Sequence, residues 1–398
     1  ILSFAFMGLM FFMTRGSAYK NGLINTVSYV QMQEGSNVAK AKIGVAAKSS
    51  AKGDLIITAE EKLATNIEVY DYYGGNFVDA QQEKCMYRIL SGDTTQIVFH
   101  ETPSWGLQQF TAQKNLDMGG SVESNVTLQG DKFVGEIVNN TNVDFYKFVL
   151  WLDGYGYEFD ALGAGGTMQV TVGMDEVSKE NARTYDQYRQ YDEIREKVNS
   201  AEMTRKEAYA SYLEHDLLGQ VYPKEASGYA LPIGFFGYSD VSVIEGEMKL
   251  NGKRVSENSL TMYYQNIVLD LSKQEAFRIG INGMIEGEGN YDLYEDASRK
   301  TVYSFEDTIL EIDYTIPTDV YLDTIEFYGD GKYSYTVSEN VKVYNRKTQQ
   351  WDTVNLAEPI AAENYVDENN LIKASIHVVG NAETEVPRLY IEGGGLLA

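Results

Sequence analysis

Side chains able to carry out catalysis are few and scattered in this sequence. The three histidines, His100, His215 and His377, show no metal-ligand spacing, and the chain has no HExxH motif. It also lacks a GxSxG motif, a phosphate-binding glycine loop and a Cys–His arrangement. Cys85 is the single cysteine and has no disulfide partner within the chain. The sequence therefore predicts a non-enzymatic protein without a catalytic residue or a cofactor.

Carboxylates are abundant, and two acidic stretches raise the question of calcium, which takes six to eight oxygen ligands. Neither stretch has the spacing of an EF-hand loop, so we assign no metal ligand. A glycoside hydrolase would need two carboxylates roughly 5–10 Å apart, and the sequence cannot select such a pair. An envelope hydrolase is therefore the second alternative function. The acidic stretches contain Glu286, Glu288, Asp292, Glu295 and Asp296, and Asp367 with Glu368.

Two of the three tryptophans are candidates for stacking on sugar rings. Trp151 lies in the apolar stretch "FYKFVLWLDG", which predicts a buried strand. Trp105 and Trp351 lie near predicted turns, where an exposed indole could bind a glycan, although a packed structural role is the alternative. An envelope-polysaccharide-binding module is the first alternative function.

A tyrosine stripe is the other candidate for recognition. Tyr185, Tyr188 and Tyr191 are three residues apart in a charged, helix-forming segment, so they share one helical face. They could contact a partner protein or pack on a sheet of the same chain. Thr204 and Glu207 have the spacing of a capping box that opens a second helix.

The elements around these residues are mostly short alternating strands separated by turns, which predict a mainly β protein. We expect tandem antiparallel β-sandwiches, immunoglobulin-like and jelly-roll-like, with a helical insert and part of a transmembrane helix before them. The predicted segments are a helix end (1–13), a β-rich membrane-proximal domain (14–118), a small immunoglobulin-like sandwich (119–173), the helical insert (174–223) and a C-terminal jelly-roll-like sandwich (224–398).

The opening "ILSFAFMGLMFFM" carries no charged residue. Thirteen helical residues reach roughly 20 Å, less than the roughly 30 Å of a bilayer core. A signal peptide would have a basic leader and a clearer cleavage site, and a buried core helix would have a polar face. We therefore expect residues 1–13 to be the end of a transmembrane helix that begins before Ile1.

Charge bears on partners and location. The chain has 33 basic and 58 acidic residues, a net charge of −25, which argues against nucleic acid or anionic lipid as a partner. The basic flank after the apolar run is weak, and the 30 tyrosines are typical of β proteins of the cell exterior. We expect the bulk of the chain on the extracytoplasmic side of a cell membrane.

Several stretches in this order resemble a class of large multi-domain membrane proteins of Gram-positive bacteria. They are "TRGSAYKNGLINTVSYVQMQEG", "SWGLQQFTAQKNLDMGGSVESNVTL", "FVGEIVNNTNVDFYKFVLWLDGYGYEFDALGAGGTMQVTV" and "YNRKTQQWDTV". In that class the upstream half carries further β-domains, a degenerate amidotransferase-like domain and more transmembrane helices. The tyrosine-rich insert departs from the pattern. The resemblance implies an envelope protein, anchored by a helix, that serves a membrane complex such as one containing a transporter.

The function predicted from these observations is a membrane-anchored, extracytoplasmic scaffold or accessory subunit of a bacterial cell-envelope complex. Its partners would be the membrane, through the N-terminal helix, and another envelope or membrane protein.

Overall fold

A computed structural model describes most of the chain. The described residues are 22–66, 87–152, 155–173, 183–184, 194–204, 207–208, 210–214, 217, 233–267, 269–286, 290–295, 300–329, 336–337 and 341–397. The predicted transmembrane end at 1–13 lies outside them. Among the described residues, no helix has the length and apolar character needed to cross a membrane.

Strands dominate the described chain, in line with the alternating sequence pattern. In chain order they are β1 (Gly22–Gln31), β2 (Val38–Ser49), β3 (Gly53–Ala59), β4 (Ala64–Asn66), β5 (Tyr87–Ser91), β6 (Thr95–Thr102), β7 (Leu107–Asp117), β8 (Val122–Gly130), β9 (Lys132–Asn139), β10 (Lys147–Leu152), β11 (Tyr155–Phe159), β12 (Thr167–Gly173), β13 (Arg183–Thr184), β14 (Ile233–Ser239), β15 (Lys249–Leu250), β16 (Lys253–Arg254), β17 (Ser256–Asn266), β18 (Ala276–Ile281), β19 (Met284–Glu286), β20 (Tyr291–Glu295), β21 (Lys300–Ser304), β22 (Thr308–Thr315), β23 (Val320–Tyr328), β24 (Thr336–Val337), β25 (Val341–Asn345), β26 (Gln350–Val354), β27 (Ile360–Ala361), β28 (Leu371–Val378), β29 (Ala382–Val386) and β30 (Arg388–Gly395). Two 3-10 turns, Leu271–Lys273 and Ala362–Asn364, complete this set.

The described strands form five sheets, most of whose ladders are antiparallel, so the mainly β prediction is confirmed. Sheet A has the order β13-β11-β10-β14-β17-β1-β2-β7-β4, and sheet B the order β16-β15-β3-β6-β5. Sheet C has the order β12-β9-β8-β18-β30-β23-β27. Sheet D has the order β19-β22-β28-β25-β26, and sheet E the order β20-β21-β29-β24. The parallel pairs in the described chain are β1–β17, β8–β18 and β24–β29.

The sheets draw strands from several of the predicted segments. Sheet A combines β1, β2, β4 and β7 from 14–118 with β10 and β11 from 119–173, and with β14 and β17 from beyond 224. Parallel pairing places Leu23 beside Ser256 and Gln31 beside Tyr264. Hydrogen-bond ladders therefore cross the predicted boundaries at 118 and 223. The division into domains stays a prediction.

Local turn chemistry within 119–173 follows the sequence. β8 and β9 form a hairpin in which Gln129 pairs with Lys132, and Gly130 takes the positive φ of 62° that the tight turn requires. The Asn139 side chain accepts hydrogen bonds from the amide and hydroxyl of Thr141, at 3.1 and 2.6 Å. These contacts stabilise the two turns.

The strands β1, β10 and β14 of sheet A, with most of β17, are buried on both faces. One face belongs to the main hydrophobic core, which also receives residues from the other sheets. The opposite face carries a second cluster in which Trp151, Phe236 and Met262 are buried with Leu213 and Leu217 of the helical segment. Strands buried on both faces read as nearly continuous apolar runs, as "KFVLWL" in β10 does.

The helical segment covers this second face. Helical residues lie at 194–199 and at the described positions between 207 and 217. The predicted capping box is confirmed, because the Thr204 amide donates to Glu207 Oε2 at 2.8 Å and the Glu207 amide donates to Thr204 Oγ1 at 3.2 Å. Glu214 holds the helix to β10 by accepting from Lys147 Nζ at 2.6 Å and from the Tyr146 hydroxyl at 2.9 Å.

Candidate functional site

Sheet D differs from sheet A because only one of its faces is buried. Along β22, Leu310, Ile312 and Tyr314 enter the main core, whereas Ile309 and Glu311 are exposed. β25 and β28 alternate in the same way. Since successive side chains on a strand point to opposite faces, sheet D turns its other face toward solvent, although Asp313 on that face is buried. Two groups of residues on or beside this face could bind a ligand.

The first group, which we name the aromatic row, starts on β26, the outermost described strand of sheet D. Trp351 is paired across the ladder with Tyr344 of β25, and the two rings meet edge to face with centroids 5.4 Å apart. The Trp351 residue is 40% exposed. An indole held in this way can offer apolar surface without first losing rotamer freedom.

The β25–β26 turn holds the aromatic pair in place. The Asn345 side-chain oxygen accepts from the amides of Lys347 and Thr348 at 3.0 and 3.1 Å, and its amide donates to Asp352 Oδ2 at 2.6 Å. The Arg346 guanidinium lies 5.0 Å from the Tyr344 ring centroid and donates to Asp367 Oδ2 at 3.0 Å. These contacts favour one conformation of the turn.

A charged pair continues the aromatic row across the sheet. Lys373 of β28 directly precedes Ala374, the partner of Val343, and therefore lies next to Tyr344 in the same row. Lys373 pairs in the ladder with Asp313 of β22, and Lys373 Nζ is 3.6 Å from Asp313 Oδ1. The aromatic row thus runs Trp351, Tyr344, Lys373 and Asp313.

The second group, which we name the apolar patch, lies at the end of β22 and consists of Phe305, Ile309 and Val379. All three side chains are exposed, and Ile309 is 67% exposed. Ile309 pairs with His377, so Val379 is its diagonal neighbour two residues further along the chain that follows β28. The Phe305 ring contacts the Tyr303 ring edge to face, with centroids 5.2 Å apart.

Tight contact between two turns fixes the apolar patch. The Gly380 amide donates to Asp307 Oδ1 at 2.7 Å, and the Asn381 amide donates to the Ser304 carbonyl at 2.7 Å. A Cβ atom at Gly380 would lie 2.8 Å from the backbone of Glu306 and Asp307. The close approach of the turns therefore requires glycine at this position.

One hydroxyl behind the aromatic row has a shifted pKa. Burial, followed by its hydrogen bond to Asp352, raises the pKa of Tyr365 above its usual value. Its hydroxyl donates to Asp352 Oδ2 at 3.1 Å. Because Tyr365 stays protonated at neutral pH, it acts there as a hydrogen-bond donor that positions Asp352 rather than as a base.

The residues predicted from sequence fall in different places. Trp351 lies on the outer face of sheet D, whereas Trp105 lies in the turn between β6 and β7, half-buried, with Lys48 Nζ 5.9 Å from its ring centroid. The Trp105 amide donates to the Ser49 carbonyl at 2.7 Å. The two indoles therefore lie in different parts of the fold, Trp351 on a strand and Trp105 in a turn. Tyr185, Tyr188 and Tyr191 lie outside the described residues.

The remaining polar candidates have structural contacts where they are described. His100 Nδ1 is 3.1 Å from Asp54 Oδ2, and His377 is exposed on sheet D, whereas His215 and Cys85 lie outside the described residues. Asp367 Oδ1 accepts from the amides of Asn369 and Leu371, each at 2.8 Å. The part of the chain that the structure describes has no group of three or more His, Cys, Asp or Glu side chains that could hold a metal ion.

Sequence reasoning missed the apolar patch and most of the aromatic row. In "TILEIDYT" two apolar residues, Ile309 and Leu310, are adjacent, so the pattern alone does not say which faces the core. Tyr344 could have been found from the alternation of "VKVYN", which places Lys342 and Tyr344 on one side. Lys373 and Asp313 carried no local signal.

Comparison with known proteins adds one family match. A family model described as "Domain of unknown function (DUF8725)" matches residues 121–271. The matched range runs from the start of β8 to the turn after β17, and it includes the helical segment that covers sheet A. The outer face of sheet D lies beyond the matched range. No curated protein sequence matches the chain.

Three solved structures show a distant likeness. The yeast delta-COP-I mu-homology domain complexed with the Dsl1 WxWxV peptide matches with a TM-score of 0.29 at 7% identity, covering 62% of this chain and 96% of that chain. The same yeast domain without the peptide gives 0.28 at 8% identity, with the same coverage. The CBM32-1 and CBM32-2 domains of Clostridium perfringens ZmpB give 0.11 at 11% identity, covering 95% of this chain and 90% of that chain.

Proposed function

We propose that this chain is a non-enzymatic, membrane-anchored scaffold or accessory subunit of a bacterial cell-envelope complex, and that it binds a partner protein through the apolar patch. The exposure of Ile309 and its diagonal neighbour Val379, with the exposed Phe305 near the adjoining turn, carries the proposal. Single exposed apolar residues are ordinary, but contiguous ones on a fixed surface mark interaction sites.

The energetics of the apolar patch favour association. Burying one large apolar side chain that is otherwise exposed contributes roughly 1.5–3 kcal/mol. The contact between the Gly380 turn and Asp307 holds the surface before a partner arrives, so little ordering is required on binding. The apolar patch therefore has the character of the central part of a protein interface.

Location and fold type complete the proposal. We assign residues 1–13 to the end of a transmembrane helix because they carry no charge, and we place the rest of the chain on the extracytoplasmic side. The antiparallel sheets with a shared core support the assignment to immunoglobulin-like and jelly-roll-like sandwiches.

The helical insert has a smaller part in this proposal than the sequence suggested. Leu213 and Leu217 are buried on sheet A, so this helix uses its apolar face within the chain. A partner contact through Tyr185, Tyr188 and Tyr191 stays a prediction.

Affinity purification of the chain from gently solubilised membranes, followed by mass spectrometry, tests the proposal. The wild type should retain a stoichiometric membrane or envelope protein, and the double substitution Ile309→Ser with Val379→Ser should release it. The matched control is Val241→Ser, because Val241 is equally exposed at 65% but precedes β15 and lies off sheet D.

Recovery of the wild-type chain without a partner would contradict the scaffold function. Equal retention by the double variant and the control would keep the scaffold function but remove the apolar patch as its interface. Crosslinks from the 174–223 segment to the same partner would then identify the helical insert instead.

A further inference from the structure

The aromatic row is a second surface on sheet D, and the protein contact at the apolar patch leaves it unused. Its four residues lie on four neighbouring strands, β26, β25, β28 and β22. With about 4.8 Å between strands, the aromatic row extends roughly 14 Å across the sheet. A linear ligand could therefore lie along it in an extended form.

One end of the aromatic row offers a flat apolar surface. Trp351 is exposed, and the edge-to-face contact with Tyr344 and the position of Arg346 over Tyr344 fix the orientation of the rings. The C–H face of a pyranose ring is apolar and suits such a surface. An aliphatic side chain would also contact it but would not use the polar end.

The other end offers hydrogen-bond donors and acceptors of balanced charge. Lys373 is paired with Asp313, which is buried at 7% exposure, and in the next row the exposed Lys342 and Glu311 flank Ser375. Arg346 is likewise paired with Asp367. Side chains of both signs suit a ligand whose hydroxyl groups both donate and accept hydrogen bonds.

This balance of charge favours neutral glycans over polyanionic ones. A polyanionic chain would gain no net attraction from paired cations, and it would be repelled by a protein with a net charge of −25. A neutral, hydroxyl-rich chain meets neither obstacle. We propose that the aromatic row binds a neutral polysaccharide, with one sugar ring stacked on Trp351 and a following sugar hydrogen-bonded to Lys373.

Isothermal titration calorimetry on the full chain tests this proposal. The probes are neutral hexasaccharides of N-acetylglucosamine, α-linked glucose and β-linked glucose, with an alginate hexasaccharide as the polyanion. We expect at least one neutral probe to bind with a Kd below about 1 mM, and alginate not to bind. Trp351→Ala and Tyr344→Ala should each weaken binding at least about tenfold, and Trp351→Phe should weaken it less.

Tyr87→Ala is the matched control, because Tyr87 is an exposed aromatic on β5 of sheet B, and it should leave binding unchanged.

The proposal is overturned if none of the neutral probes binds, if alginate alone binds, or if Trp351→Ala binds as the wild type does. Loss of binding in Trp105→Ala but not in Trp351→Ala would move the site to the other indole and overturn it as well. Capture of a protein partner that depends on Trp351, without sugar binding, would assign the aromatic row to a protein contact. Ile309→Ser with Val379→Ser should not change sugar binding, so failure of the scaffold function is distinguishable from failure of this site.

Discussion

Sheets A and D both carry neighbouring aromatic residues on one face, and the two sheets differ in how far those residues are covered. On sheet A, Trp151, Phe236, Tyr264 and Tyr29 follow one another across four strands, with ring centroids 6.5, 5.1 and 6.4 Å apart. The helical segment lies on this face, and Trp151 is 1% exposed. On sheet D, Trp351 is 40% exposed. The same residue types therefore serve as core in one sheet and as candidate binding surface in the other.

The difference shows that exposure, rather than residue type, separates the structural from the recognition role. Burial of an aromatic side chain contributes stability in proportion to the area removed from water. An exposed aromatic makes little of that contribution and keeps its surface for a ligand. Substitutions in the two sheets should accordingly affect different measurements.

Trp151→Ala should produce the largest loss of stability. The indole is fully enclosed on sheet A, where it meets Phe236, so its removal leaves a large cavity that should lower the free energy of unfolding by about 3 to 5 kcal/mol. Urea denaturation followed by circular dichroism measures this loss. A change below about 1 kcal/mol would show that sheet A tolerates exposure of this face.

Leu217→Ala tests the cover itself. Leu217 is 1% exposed against sheet A, and we expect a loss of about 3 kcal/mol together with faster proteolysis within the helical segment. Limited proteolysis compared with wild type reports the second effect. Unchanged proteolysis with an unchanged unfolding midpoint would mean that the helix does not protect the aromatic residues of sheet A.

Tyr263 reports the burial of the other face of sheet A through pH. Burial raises its pKa from 10.0 to about 12, because the charged form is poorly solvated in the core. The stabilisation from neutral Tyr263 is complete below pH 10 and is lost as the pH rises through 12, by at most about 3 kcal/mol. Denaturation at stepped alkaline pH measures the loss, and Tyr263→Phe should reduce it. An identical alkaline profile for Tyr263→Phe would assign the loss to other groups.

Trp351→Ala should have the smallest effect on stability. It removes one edge-to-face contact, with Tyr344, from a residue that is already partly in water, so the free energy of unfolding should fall by about 1 kcal/mol or less. The same denaturation assay used for Trp151→Ala gives a direct comparison. A loss equal to that of Trp151→Ala would make Trp351 a core residue and end the distinction between the two sheets.

Local sequence patterns predicted several of these features. The apolar stretch "KFVLWL" indicated that Trp151 is buried, and "QQWDTV" after a turn indicated that Trp351 is near the surface. The capping box at Thr204 and Glu207 was also predicted. Each of these depends on residues within a few positions of one another.

The features that could not be predicted join distant parts of the chain. β1 pairs with β17 although Thr26 and Ser259, which are hydrogen-bonded at 2.8 Å, are 233 residues apart. The apolar patch exists because the turn after β28 contacts the turn before β22, which brings Val379 beside Ile309. The helical segment could equally have met a partner, since its sequence does not specify which apolar surface receives Leu213 and Leu217.

The sequence by itself determined the mainly β character of this protein, its turns and its helix cap, because strand alternation and capping chemistry act over a few residues. Only the tertiary structure decided that the helical segment covers the aromatic residues of sheet A. Sheet order and the packing of the helical segment depend on contacts between residues far apart in the chain, and a local pattern carries no record of such contacts. For this reason the stretches "KFVLWL" and "QQWDTV" indicate which tryptophan is buried, but they do not identify the helical segment that covers Trp151.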